Sequence, residues 1–125
     1  MKDEAEKAED LRERTKKFAI RIVGLYCSLA KSDPAQVLGR QALRSGTSVG
    51  AHNREAFRAR STAEYVSKLQ GALQELDETS YWLELLVDCS IVSAKQTKLL
   101  MGETDELIAI LTTIQKKVKR RISVS

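Results

Sequence analysis

Four arginines in the middle of the chain, Arg40, Arg44, Arg54 and Arg58, have the type and spacing that most plainly point to chemistry. On a helix, at about 100° per residue, they project within an arc of about 80°, with Thr47 and Ala51 between them. At 1.5 Å per residue the ladder extends about 27 Å. A guanidinium grips a phosphate through two parallel N–H donors and keeps its charge, so such a ladder suits a polyanion. A second basic run, Lys116, Lys117, Lys119, Arg120 and Arg121, lies near the end of the sequence. The plainer reading of both is a solvated helix exterior with local partners, Glu55 being placed to hold Arg44 or Arg58. An acidic counterpart follows: Glu64, Glu75 and Glu78 share one arc with Gly71 and Trp82, opposite the leucines of the same helix. A large aromatic there marks an interface unless it lies flat against its own helix. Trp82, Gly71, Glu75 and Glu78 are therefore candidates for a contact between subunits. An acidic face of one protomer meeting a basic face of the next would compete with nucleic acid for the same arginines.

Catalysis has little to stand on. Di-iron carboxylate bundles need a Glu-x-x-His repeat on each of two helices, and the single histidine, His52, has no Glu three positions before it. Ser45, Ser48 and Ser61 lack the strand-turn-helix setting of a nucleophile elbow. No glycine-rich phosphate loop ending in Lys-Ser/Thr occurs. Cys27 and Cys89 have no second Cys or His at metal-ligand spacing, and read as small buried hydrophobes in a reducing compartment. The expectation is a protein that is not an enzyme, with no cofactor and no metal, and with His52 at a surface or interface.

The elements that must position these residues are helices. The 125 residues are 42% hydrophobic and 30% charged, enough for a single domain with one core, and only one proline and six glycines interrupt them. Apolar residues recur at helical spacing in four segments: Leu11, Phe18, Ile22, Leu25 and Leu29; Leu38, Ala42, Val49 and Ala56; Leu69, Leu73, Leu76, Leu83 and Val87; Leu100, Leu107, Leu111, Ile114, Val118 and Ile122. Start signals frame them. Asp33 with Pro34 and Gln36 makes one variant of the capping box, and Ser61 with Glu64 and Ser93 with Gln96 make two more. Helices are expected over about 4–30, 34–59, 61–88 and 93–123, with potential bends at Gly46 and Gly50 and at Gly102. Turns this short give an antiparallel up-down-up-down four-helix bundle spanning 1–125, all-α in class. No apolar run reaches membrane-spanning length, and the acidic start lacks a signal segment, so no membrane is involved and the expected location is cytoplasmic.

Charge is distributed in blocks. Residues 1–10 hold five acids and two bases, 11–60 eleven bases and three acids, 61–90 six acids against Lys68 alone, and the remainder returns to a positive balance. Alternating blocks suit faces that meet a partner, another copy of the chain or a polyanion.

The stretch from Gln41 to Ala59, followed by Ser61, Glu64, Lys68 and Leu69 and then by Glu75 to Leu86, resembles a bacterial family. Its members are four-helix-bundle proteins encoded in intervening sequences of 23S ribosomal RNA genes, and also in stand-alone genes. The resemblance covers about Phe18 to Leu111, and Arg44, Ser45, Ser48, Asn53, Glu55, Ala56, Ser61, Tyr81, Trp82 and Leu83 match its pattern. The asparagine falls one position later than in the family, behind His52. The resemblance implies an up-down bundle without an assigned catalytic mechanism. It also implies kinship with a relative that forms a ring of five bundles, and with the accessory protein of diversity-generating retroelements, a basic pentamer that binds nucleic acid and a reverse transcriptase. Asn53, at the edge of the core-facing arc, is expected to make a buried hydrogen bond that fixes helix register.

Together these readings lead to a homo-oligomer, a pentamer, that binds RNA or DNA electrostatically through the helix-two arginines, the basic part of helix one and the Lys116–Arg121 run. No aromatic stacking platform interleaves the basic residues in the sequence, so little base readout is expected. The alternative is a protein-interaction scaffold whose charged faces pair subunits or dock another protein, such as a nucleic-acid enzyme.

Overall fold

The computed structural model describes residues 3–124, with the side chains of residues 4, 5 and 122–124 left aside, so Ile122 of the expected last stripe lies outside the described set. Asp3 accepts the Glu6 N–H at 2.8 Å and opens α1, Glu4–Ser28. Helix α2 spans Asp33–Phe57 and begins behind Ser32, not Asp33, with Pro34 in its first turn. Gln36 does not close a capping box. Its side-chain N–H donates to the Ala30 carbonyl at 2.9 Å and its Oε1 accepts the Tyr26 hydroxyl at 3.1 Å, which ties the end of α1 to the start of α2.

Ser61 caps α3, Thr62–Asp88, by accepting the Glu64 N–H. The α3–α4 turn carries Ser90 in the left-handed region (φ 59°) and a bond from the Ile91 N–H to the Leu86 carbonyl, the closure that satisfies the last carbonyls of a helix. Ser93 and Gln96 then cap α4, Ala94–Val124, reciprocally: the Ser93 N–H donates to Gln96 Oε1 at 2.8 Å, and the Gln96 N–H to Ser93 Oγ at 3.2 Å. None of Gly46, Gly50 or Gly102 interrupts its helix.

The helices run antiparallel in the order α1, α2, α3, α4, each packed on the next, while α4 returns to meet α1 only narrowly. Phe18, Ile22, Val49, Leu69, Leu76, Leu83, Leu86, Leu107 and Leu111 fill the shared core. Helix α2 contributes mostly small residues, so its neighbours come close. A methyl at Gly46 would sit 2.7 Å from Ile22 Cγ1 on α1, and one at Gly71 of α3 3.0 Å from the His52 ring of α2. Inside the α2–α3 seam the Ser45 and Thr79 hydroxyls bond at 2.8 Å.

Burial corrects further expectations. Cys27 and Cys89 are exposed: Cys27 lies on the outer side of α1, and Cys89 caps the end of α3. The core-facing side of α3 is also turned from the one its leucines suggest. Ala72, Thr79 and Leu86 are buried with Leu69, Leu76 and Leu83, while Leu73 and Val87 are only half-buried. Small and hydroxyl residues join the core side, so the leucines alone misjudge its centre.

Candidate nucleic-acid interface

The arginine ladder divides into two kinds of residue. Arg40, Arg54 and Arg58 are exposed on the outer face of α2, and among the described residues no carboxylate pairs with them. Arg44 lies at the edge of the arc nearest α3. Its Nη2 is 2.6 Å from Glu78 Oε1 and its Nη1 3.3 Å from Glu75 Oε2. Glu55 holds neither Arg44 nor Arg58, contrary to expectation: its Oε2 lies 2.9 Å from Lys68 Nζ and 4.0 Å from His52 Nδ1. The hydrogen bond from Lys68 lowers the Glu55 carboxyl below its ordinary value, and the same bond raises the Lys68 ammonium.

The turn of α3 also relocates the acidic arc. Gly71, Glu75, Glu78 and Trp82 sit on the flank that faces α2 and not on an exterior face. Gly71 lies against His52, Glu75 and Glu78 hold Arg44, and Trp82 is half-buried. The Trp82 Nε1–H points to Glu78 Oε1 at 3.4 Å, and its ring meets Tyr81 edge-on, with centroids 5.0 Å apart. Asn53 is fully buried, but neither of its amide atoms has a hydrogen-bond partner among the described residues. The expected register-fixing bond is therefore not found there.

Helix α1 carries its own clasped arginine. Arg14 donates from Nε and Nη2 to the Glu103 carboxylate at 2.8 and 2.7 Å, and from Nη2 to Glu106 at 2.7 Å. These bonds raise the Arg14 pKa, and the bond from Arg14 holds the Glu103 carboxyl below its ordinary value against the opposing effect of burial. This bridge crosses the narrow α1–α4 seam.

The basic run near the end of α4 is exposed throughout: Lys116, Lys117, Lys119, Arg120 and Arg121 all reach solvent, and Lys119 also borders a shallow depression shared with His52, Gly71 and Gln115. Lys117 and Arg121 line a cavity of about 600 Å³ at the end of the bundle, together with Lys7 and Arg60. Phe57 and Tyr65 border the same cavity and contact each other edge-on, with centroids 6.4 Å apart at 68°. An aromatic pair thus does stand among the basic residues. Phe57 and Tyr65 flank the α2–α3 turn, with Phe57 between Arg54 and Arg58 in sequence; what the linear order hides is that Lys7, Lys117 and Arg121, from the two ends of the chain, join them, which the antiparallel register brings about.

Among the described residues no group of three His, Cys, Asp or Glu side chains could hold a metal ion, and no helix is long and apolar enough to cross a membrane. Residues 7–113 match the profile of a family described as 23S rRNA-intervening sequence protein. A crystal structure of a protein of unknown function from the S23 ribosomal protein family of Bacteroides thetaiotaomicron VPI-5482 is similar to this chain, with 39% identity and a TM-score of 0.83 over 88% of this chain and 98% of that one. No curated protein matches.

Proposed function

This chain belongs to the family of 23S rRNA-intervening sequence proteins, and from that premise we propose that it is a non-enzymatic homo-oligomer, a pentamer, that binds RNA or DNA electrostatically. The observation that carries the proposal is the exposure of Arg40, Arg54 and Arg58 along one helix face with no carboxylate partner among the described residues. Unpaired guanidiniums in a row meet successive phosphates and release the counterions condensed there, which drives binding without reading bases. Lys116, Lys117, Arg120 and Arg121 extend the basic surface on α4. Neither the family's description nor that of the Bacteroides protein assigns an activity. The five-fold assembly rests on the resemblance to a ring-forming relative, and Trp82 and Glu78 on the α3 flank keep part of their surface open to solvent.

A second reading, an interaction scaffold that docks another protein, draws on exposed apolar residues. Ile20 is 60% exposed and Val23 42% on the outer side of α1, and Leu99 is 77% exposed on α4. Light scattering combined with a gel shift on structured RNA separates the two readings. Reversing Arg40, Arg54 and Arg58 to Glu is expected to leave the oligomer intact and weaken the shift by more than about a hundredfold at low salt. Dissociation of the oligomer by that variant would assign the arginines to subunit contacts instead.

A further inference from the structure

The end of the bundle where α1 begins and α4 finishes combines features that no single helix has. Four cations, Lys7, Arg60, Lys117 and Arg121, come from α1, from the α2–α3 turn and from α4, and line one cavity. No carboxylate lines it, and among the described residues none of the four has an ion-pair partner. Its floor is apolar, formed by residues such as Leu11, Ile114 and Val118, and Phe57 stands at its edge with 44% of its surface exposed against Tyr65.

We propose that this cavity takes one unpaired nucleotide of a bound strand, with the base against the Phe57–Tyr65 pair and the phosphate among Lys7, Arg60, Lys117 and Arg121. The inference rests on the nucleic-acid reading above and adds a subsite to it. The volume of about 600 Å³ lies within the range of small-ligand pockets, about 300–1,000 Å³. Every base offers a π-face, so stacking on an aromatic ring tolerates any sequence, and cations beside the ring hold the backbone. A fatty acid would leave most of the cations unanswered, and an acidic peptide would leave the aromatic pair uncovered. The start of α3 at Ser61 and Thr62 adds the positive end of a long helix to the same wall. A paired duplex presents no free base face, so it has no use for this end and binds along the α2 ladder instead.

The test compares a labelled single-stranded octanucleotide with a duplex of equal charge by fluorescence anisotropy at low salt. The proteins are the wild type, Phe57→Ala, and the double variant Arg60→Glu/Lys117→Glu. Phe57 is exposed, so its replacement leaves the fold intact, and a circular-dichroism melt confirms this. Phe57→Ala is expected to weaken the single strand about five- to hundredfold while changing the duplex less than about twofold. The double variant weakens the single strand more than the duplex. Adenosine monophosphate that displaces the single strand from the wild type would identify free nucleotides as users of the same subsite, and failure to displace it would tie the subsite to strands; either supports the proposal when joined to the Phe57→Ala loss. An unchanged single-strand affinity in Phe57→Ala, with duplex binding intact, overturns the subsite alone. Equal displacement by poly-glutamate from wild type and Phe57→Ala, with no preference for the strand, also overturns it. Absence of binding to either probe in the wild type overturns the nucleic-acid reading together with it.

Discussion

Arg14 and Arg44 are each clasped by two carboxylates of a neighbouring helix, whereas Arg40, Arg54 and Arg58, on the same helix as Arg44, pair with none among the described residues. The two groups share a residue type and a bundle, and differ only in how far each side chain stands from a seam. Near a seam a guanidinium is drawn into a fork of acids and stitches two helices together. A turn away, on the outer face, it keeps its charge for something outside the chain. The lesson is that a basic stripe read from helical spacing mixes structural and available charges, and the neighbouring helix decides which is which.

The comparison breaks most visibly if both groups respond alike to substitution. Changing Arg40, Arg54 and Arg58 together to Glu is expected to lower affinity for structured RNA by more than about a hundredfold at low salt. Thermal unfolding by circular dichroism should shift by no more than about 2 °C, because exposed unpaired charges contribute little to stability. The inner side of α2 should behave in the opposite way. Gly46→Ala pushes a methyl into the buried Ile22 side chain, and urea unfolding should show a net loss of about 1–2 kcal/mol, the overpacking exceeding the helix-propensity gain. Gly102→Ala on α4, where a Cβ meets nothing within 4 Å, should instead gain about 0.5–1 kcal/mol.

Acid sharpens the comparison at the α1–α4 seam. The Arg14 bond holds the Glu103 carboxyl below its ordinary value of 4.5. A depressed carboxylate contributes its stability in full above that ordinary value and loses it as pH falls through the lowered one. Arg14→Met should cost about 1 kcal/mol at neutral pH, a modest figure because Arg14 is one-third exposed, and leave RNA binding unchanged. Denaturant titrations below pH 4.5 should show the wild type losing its advantage over this variant. The smallest effect belongs to Arg44→Met. Its pair is half-exposed, so a stability change under about 1 kcal/mol and an affinity change under about threefold are expected by unfolding and anisotropy.

Much of the fold was legible in the sequence because helix-period leucines and start signals act locally. Ser61 with Glu64 and Ser93 with Gln96 mark their helices as expected, and the Leu100, Leu107 and Leu111 stripe is the core side of α4. What failed to show depends on neighbours. The rotation of α3 follows from burying Ala72 and Thr79, which hydrophobic spacing does not weight, and from it follow the pairing of Arg44 and the inward position of Gly71. The residue type points to a buried Cys27, yet it is exposed on the outer side of α1. The cavity at the end of the bundle joins Lys7 to Arg121, more than a hundred positions apart, and only the antiparallel register reveals it.

The most direct test of available against clasped charge is the salt dependence of binding. For the wild type on structured RNA, the logarithm of affinity should fall against the logarithm of salt concentration with a slope of about −4 to −5, and the triple Glu variant should give a slope shallower by about 3. A wild-type affinity that barely changes with salt, or an equally steep slope once Arg40, Arg54 and Arg58 are gone, would contradict the account.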